Sequence, residues 1–171
     1  MKYLIMCEGP NELEIIRMLL EHNKLIFTED DLLNLVPYHA RQIGNNAAVK
    51  TALNLYHGEV QVLQIGDKLS DELKIPREYK GKITEIRKYC TKPELEMLLI
   101  ISENIDSDFE KVKWKTSPKA FSKENIVYNR RCYDNSTAFY RDYYGERIDV
   151  LVSASKQGVY TITPLSAILT P

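Results

Sequence analysis

An apolar run, Tyr3 to Cys7, stops at Glu8-Gly9-Pro10 and is followed at once by Leu13, Ile16, Leu19 and Leu20 at spacings of three and four. The run is long enough for a strand, and the spacing is that of a helix with one buried face. Glycine permits the tight turn between them, and Pro10 suits a first helical turn because its missing N–H would have no partner there. A strand–turn–helix opening of this kind points to an α/β domain. The pattern then repeats. Leu35 to Arg41 reads as a second strand, with its core over 35–40. Asn45 caps a helix over 45–57 that carries Val49, Ala52, Leu53 and Tyr56 and ends near Gly58. Val60 to Ile65 reads as a third strand, ending at Gly66-Asp67. Short connections and right-handed crossovers favour a mainly parallel sheet flanked by helices.

Beyond residue 75 the apolar pattern turns helical. Pro76 opens an expected helix over 77–89 with Ile83, Ile86 and Tyr89. Thr91-Lys92-Pro93-Glu94 has capping-box spacing and starts another over 92–103. Asp106 to Lys123 is polar and lysine-rich, with Pro118 as a breaker. Helices over 134–144 and 146–157 follow, and the tail from 159 to 171 has no readable pattern. The expected organisation is an α/β core at 1–75 with a helical C-terminal extension, 76–171, packed on it as part of the same domain. A chain of 171 residues has room for one such unit.

Composition narrows the function. A formal net charge of −1 argues against a globally basic nucleic-acid binder, but the charge is uneven. Residues 93–110 hold six acids and no Lys or Arg, whereas 111–131 hold seven Lys or Arg and one acid. That is either a pair of solvated segments or a phosphate-contacting strip of Lys111, Lys113, Lys115, Lys119 and Lys123, with Trp114 available for stacking. Cys7, Cys90 and Cys132 have no CxxC spacing, which argues against a disulfide framework and for a reducing, cytoplasmic setting. No apolar run approaches the ~20 residues of a membrane span, so no membrane partner is expected.

Chemistry concentrates at the expected strand ends. Ligand sites in open α/β sheets lie beyond the carboxyl ends of the strands. Glu8 ends the first strand, Glu12 follows one helical turn later, and Asp67 ends another strand. Hard oxygen ligands of this kind suit Mg²⁺. Arg41, beyond the second strand, could hold a phosphate bidentately or make a surface salt bridge. Each acid also has a purely structural reading. Glu8 could cap the next helix, Glu12 could be an exposed first-turn acid, and Asp67 could cap a turn. Glu94 could complete the capping box, and Glu96 could face solvent. The three histidines have no metal-ligand spacing. The tyrosines Tyr133, Tyr140, Tyr143 and Tyr144 form either an interaction face or a partly buried helix.

YLIMCEGPNELEII resembles the first motif of TOPRIM domains, and VLQIGDKLSDE resembles the second. These domains occur in topoisomerases, bacterial primases, recombination proteins, ribosomal-RNA maturases and OLD-type nucleases. The resemblance spans residues 1–75. It implies a Rossmann-like parallel sheet and a Mg²⁺-dependent phosphodiesterase acting on nucleic acid. Glu8 takes the place of the general acid/base. Asp67 takes that of the first metal aspartate, with Glu12 and Asp71 as further metal ligands. Arg41, Lys111, Lys113 and Lys115 would contact the nucleic acid. The family has Asp-x-Asp where this chain has Asp67-Lys68-Leu69; Asp71 can substitute for the second aspartate if the loop curls back, as a helix start would allow. The alternative is a catalytically degenerate module that binds or regulates, working with a protein partner such as an ATPase or effector. In OLD-type relatives a later glutamate-bearing helix also approaches the metal, and Lys92 to Glu96 is similar to that element.

Overall fold

The computed structural model describes residues 1–67, 72–91, 94–157 and 165–171. Its centre is a parallel four-stranded sheet in the order β2-β1-β3-β4. β1 is Lys2–Cys7, β2 is Tyr38–His39, β3 is Val60–Gly66 and β4 is Ile83–Cys90. Side-chain alternation gives the sheet two faces. Ile5, Cys7, Leu63 and Ile65 enter one core, where helix α1 (Pro10–Glu21) supplies Ile15, Ile16 and Leu19. Leu4, Met6, Val60 and Val62 enter the other, where helix α2 (Ala47–Leu55) supplies Val49, Ala52 and Leu53. Helices on both faces of a parallel sheet make the doubly wound α/β arrangement.

The expected helix over 77–89 is instead a short 3₁₀ turn, Arg77–Tyr79, followed by strand β4. A register shift against β3 explains the misleading spacing. Val60 pairs with Ile83, but Gln61 pairs with Glu85, so one extra residue lies between them. That bulge puts Ile83 and Ile86 on the same face. Tyr89 then points to the opposite core, beside Ile65. A bulged strand buried on both faces thus imitates a three-residue helical repeat, and the sheet extends past residue 75.

Other boundaries move less. The second strand is only Tyr38–His39. Asn46 caps α2, not Asn45, by accepting a hydrogen bond from Val49 N at 3.0 Å. Helix α3 runs Glu96–Ser102, so it starts later than the expected 92. Helices α4 (Asp106–Val112), α5 (Pro118–Asn125), α6 (Thr137–Tyr144) and α7 (Ile148–Gln157) follow. Pro118 opens α5 instead of breaking a helix, and Ser117 caps that helix through Ala120 N. A small hairpin joins β5 (Val127–Tyr128) to β6 (Arg131–Cys132). Asn129 and Arg130 turn it with φ of 50° and 64°, as a two-residue primed turn requires.

All these later helices thicken the α1 face. Leu99, Phe121, Tyr140, Tyr143, Tyr144 and Leu151 share one core with Ile5 and Leu63. Arg141 of α6 forms ion pairs with Glu14 and Glu21 of α1. Part of the tail is held as well: Ile26 N donates to Ile168 O at 2.9 Å, and Thr170 N to Lys24 O at 2.9 Å. No helix of the described residues is long and apolar enough to cross a membrane.

Candidate functional site

The sheet's hydrogen-bond ladder continues one step past the strands. Glu8 N donates to Ile65 O at 2.8 Å, Ala40 N to Cys7 O at 3.0 Å, and Thr91 N to Gly66 O at 2.9 Å. These bonds align Glu8, Arg41, Asp67 and Thr91 along the carboxyl edge. The strand order reverses direction between β1 and β3, which is where doubly wound sheets open a crevice. A cleft of about 420 Å³ opens there.

Glu8 occupies its floor. Its Oε2 accepts from Asp67 N at 3.2 Å. Gly66 makes room for it: a Cβ at that position would lie 2.8 Å from Glu8 Cβ, closer than two such atoms approach. Arg41 Nη2 stands 3.5 Å from Glu8 Oε1, and His39 Nε2 lies 3.2 Å from the Glu8 carbonyl. Burial raises the Glu8 pKa, and the hydrogen bond and negative charge of Asp67 raise it further. The Asp67 backbone N–H and Arg41 oppose the rise only partly. Glu12 lies in the first turn of α1 and also lines the cleft. Burial raises its pKa too. Its own backbone N–H offsets part of that rise, and the charges of Glu8, Asp67 and Glu96 add to it.

The opposite wall comes from the C-terminal half. Glu94, Glu96, Ser117, Lys119 and Asn135 all line the cleft. Glu94 is not a capping partner of Thr91. Its Oε2 accepts from Lys119 N at 3.1 Å, while Thr91 N is committed to the sheet. Glu96, expected to face solvent, is 6% exposed and accepts from Tyr133 OH at 2.8 Å. Tyr140 OH lies 3.1 Å from Tyr133 OH, and both tyrosines are buried. Burial pushes both phenol pKa values up, so each keeps the proton that this chain of bonds needs. Asn11 Nδ2 of α1 reaches across to Asn135 O at 3.3 Å and to its Oδ1 at 3.2 Å. The tyrosine cluster is thus core and a support for the wall, not an exposed face.

The expected site residues divide. Glu8, Glu12, Arg41 and Asp67 line one cleft. Asp71 lies outside the described residues. Lys111 and Lys113 do not line the cleft: Lys111 pairs with Asp108 at 2.8 Å and Lys113 with Glu110 at 2.6 Å, both one turn back in their own segment. Lys111 instead borders a separate hollow beside Phe121 and Asn125. Lys115 lies over the Trp114 ring, 4.3 Å from its centre. Lys119, from the same lysine-rich segment, is the lysine that lines the cleft. Among the described residues, no three acidic, His or Cys side chains are grouped so as to hold a metal ion. Sequence reasoning gave Asn11, Ser117 and Asn135 no role, since nothing local marks a polar side chain that meets a strand edge from another layer. No protein-family model, curated protein or solved structure matches this chain.

Proposed function

We propose that this chain is a TOPRIM-like, Mg²⁺-dependent phosphodiesterase that acts on nucleic acid. The observation that carries the reading is that Glu8 and Asp67 line one cleft at the crevice between β1 and β3, where Glu8 Oε2 accepts from Asp67 N. The donor set is hard oxygen, which suits Mg²⁺, and a cation there would oppose the burial and the Asp67 charge that raise the Glu8 pKa. Mg²⁺ commonly takes one or two carboxylates and completes its shell with water and substrate phosphate. A site without three grouped ligands therefore fits it. Asp67, with Glu12 beside it and Asp71 from the neighbouring segment, would hold the ion. When bound, the cation supplies charge compensation at a phosphoryl oxygen.

The chain's own residues then have separate tasks. Glu8 keeps its proton above the pH at which an ordinary glutamate loses it, which suits a group that takes and returns a proton. Arg41, exposed at the mouth, can leave its long contact with Glu8 for a substrate phosphate. Lys119 lines the same cleft.

A second reading has its own support. Lys68-Leu69 stands where the family places its second aspartate, and no three-ligand group forms among the described residues. On that reading the chain binds without cutting and works with a protein partner such as an ATPase or effector.

The test offers labelled single- and double-stranded DNA and RNA at low salt with Mg²⁺ or Mn²⁺. The wild type should cut at least one of them. Glu8→Gln should lower the rate by about 10²-fold or more while retaining binding, because only the proton acceptor is lost. Asp67→Asn should weaken Mn²⁺ binding, measured by calorimetry, together with activity. If no substrate is cut, the conclusion passes to the second reading.

A further inference from the structure

Trp114 is the chain's single tryptophan and is 74% exposed, an unusual place for the largest aromatic side chain. Its ring is nevertheless held. Nε1 donates to Lys111 O at 3.1 Å, and the Lys115 ammonium lies over the ring, 4.3 Å from its centre. An ammonium covers one face, so the other is presented to solvent as a flat platform. Ser117, three residues on, already lines the acidic cleft. Three residues span at most ~11 Å, so the platform is anchored within that reach of a cleft-lining residue. Lys119 follows in the cleft wall, and Lys123 lies one turn further along α5, on the same side of that helix. Neither forms a salt bridge among the described residues, in contrast to Lys111.

We infer that Trp114, Lys115, Lys119 and Lys123 form a track for single-stranded nucleic acid, with a base stacked on the open face of Trp114 and the backbone led past Lys119 into the cleft. This deepens the proposed function and rests on it for the identity of the ligand. The chemistry favours a single strand over a duplex. A stacking platform needs an unpaired base, whereas a duplex keeps its base faces covered. Lys115 at the ring, Lys119 in the cleft wall and Lys123 one turn further along α5 supply positive charge close to the ring and the cleft, which suits a phosphate backbone. Arg41 and Lys119 line the same cleft as the carboxylates, so a phosphate bound there has a cation from each half of the chain within its walls.

A single tryptophan makes the test direct. The Glu8→Gln full-length chain keeps the ligand intact and is titrated with oligonucleotides of one sequence as single-stranded DNA, single-stranded RNA and duplex, following tryptophan emission. Both single strands should quench it saturably, and the duplex should bind more weakly and quench less. Trp114→Ala should weaken single-strand binding by about tenfold to a hundredfold, and Trp114→Phe by much less, since a phenyl ring still stacks. Lys119→Ala and Lys123→Ala should each reduce the salt dependence of log K by about 0.7, the share of one phosphate contact on a single strand.

The inference falls if single strands bind without changing emission, or if the duplex binds as well and quenches as much. It also falls if emission changes with protein concentration alone, which would mark the ring as a self-association contact. Quenching by single strands that the wild type never cuts would sustain the track and remove the enzyme. Cleavage without quenching would sustain the enzyme and remove the track.

Discussion

Glu8 and Glu12 retain protons above the ordinary glutamate range, with burial the main cause in both. The consequence for stability has a definite sign. A carboxyl whose pKa is higher in the folded than in the unfolded chain favours folding while it is protonated. That contribution is complete below the unfolded value and is lost as pH rises through the folded one. The cation-free protein should therefore lose stability above the ordinary glutamate range. Glu12→Gln should melt higher than wild type near neutral pH and match it near pH 3, where Glu12 is itself neutral. The gain scales at about 2–4 °C per kcal/mol for a chain of this size. Parallel melting curves across pH would refute the assignment. Glu8, Glu12, Arg41 and Asp67 were legible because a strand end is a local feature and the carboxyl edge of the sheet gathers such ends. Lys119, Glu96 and Asn135 reach the cleft only through the docking of α3, α5 and the loop before α6. No sequence spacing records that docking.

Among the elements, α1 and α2 were legible because each buries one face at the helical period, and β1 and β3 because each is a short, mostly apolar run, buried on both faces, that stops at a turn. β4 was not. Its bulge and its two-sided burial replace alternation with a spacing of three, the same signal that a helix gives. The β5–β6 hairpin was hidden because Asn129-Arg130 lacks the glycine that usually marks a primed turn. The α2 cap offers a clean check on a shift of one residue. Asn46→Ala should cost about 1 kcal/mol, read as a lower urea midpoint with unchanged slope, because Val49 N loses its acceptor. Asn45→Ala should leave the midpoint nearly unchanged. Equal losses at the two positions would contradict the capping geometry.

At the scale of the whole molecule, the C-terminal helices share a continuous core with α1 and one face of the sheet, and Arg141 ties α6 to α1. The chain should therefore unfold as one unit. Near-UV circular dichroism, dominated by buried Tyr140, Tyr143 and Tyr144, should trace the same urea transition as far-UV dichroism, which follows every helix and strand. Separate midpoints would show that the second half folds by itself. The division of the cleft also has a temporal side. The ribosome makes the floor, Glu8 and Asp67, first, and the wall ending at Asn135 much later. At roughly 5–20 residues per second, several seconds separate them. For most of that interval the nascent chain carries its acids with neither Lys119 nor Asn135 yet made. Translation order thus withholds a complete cleft until most of the chain has been synthesised.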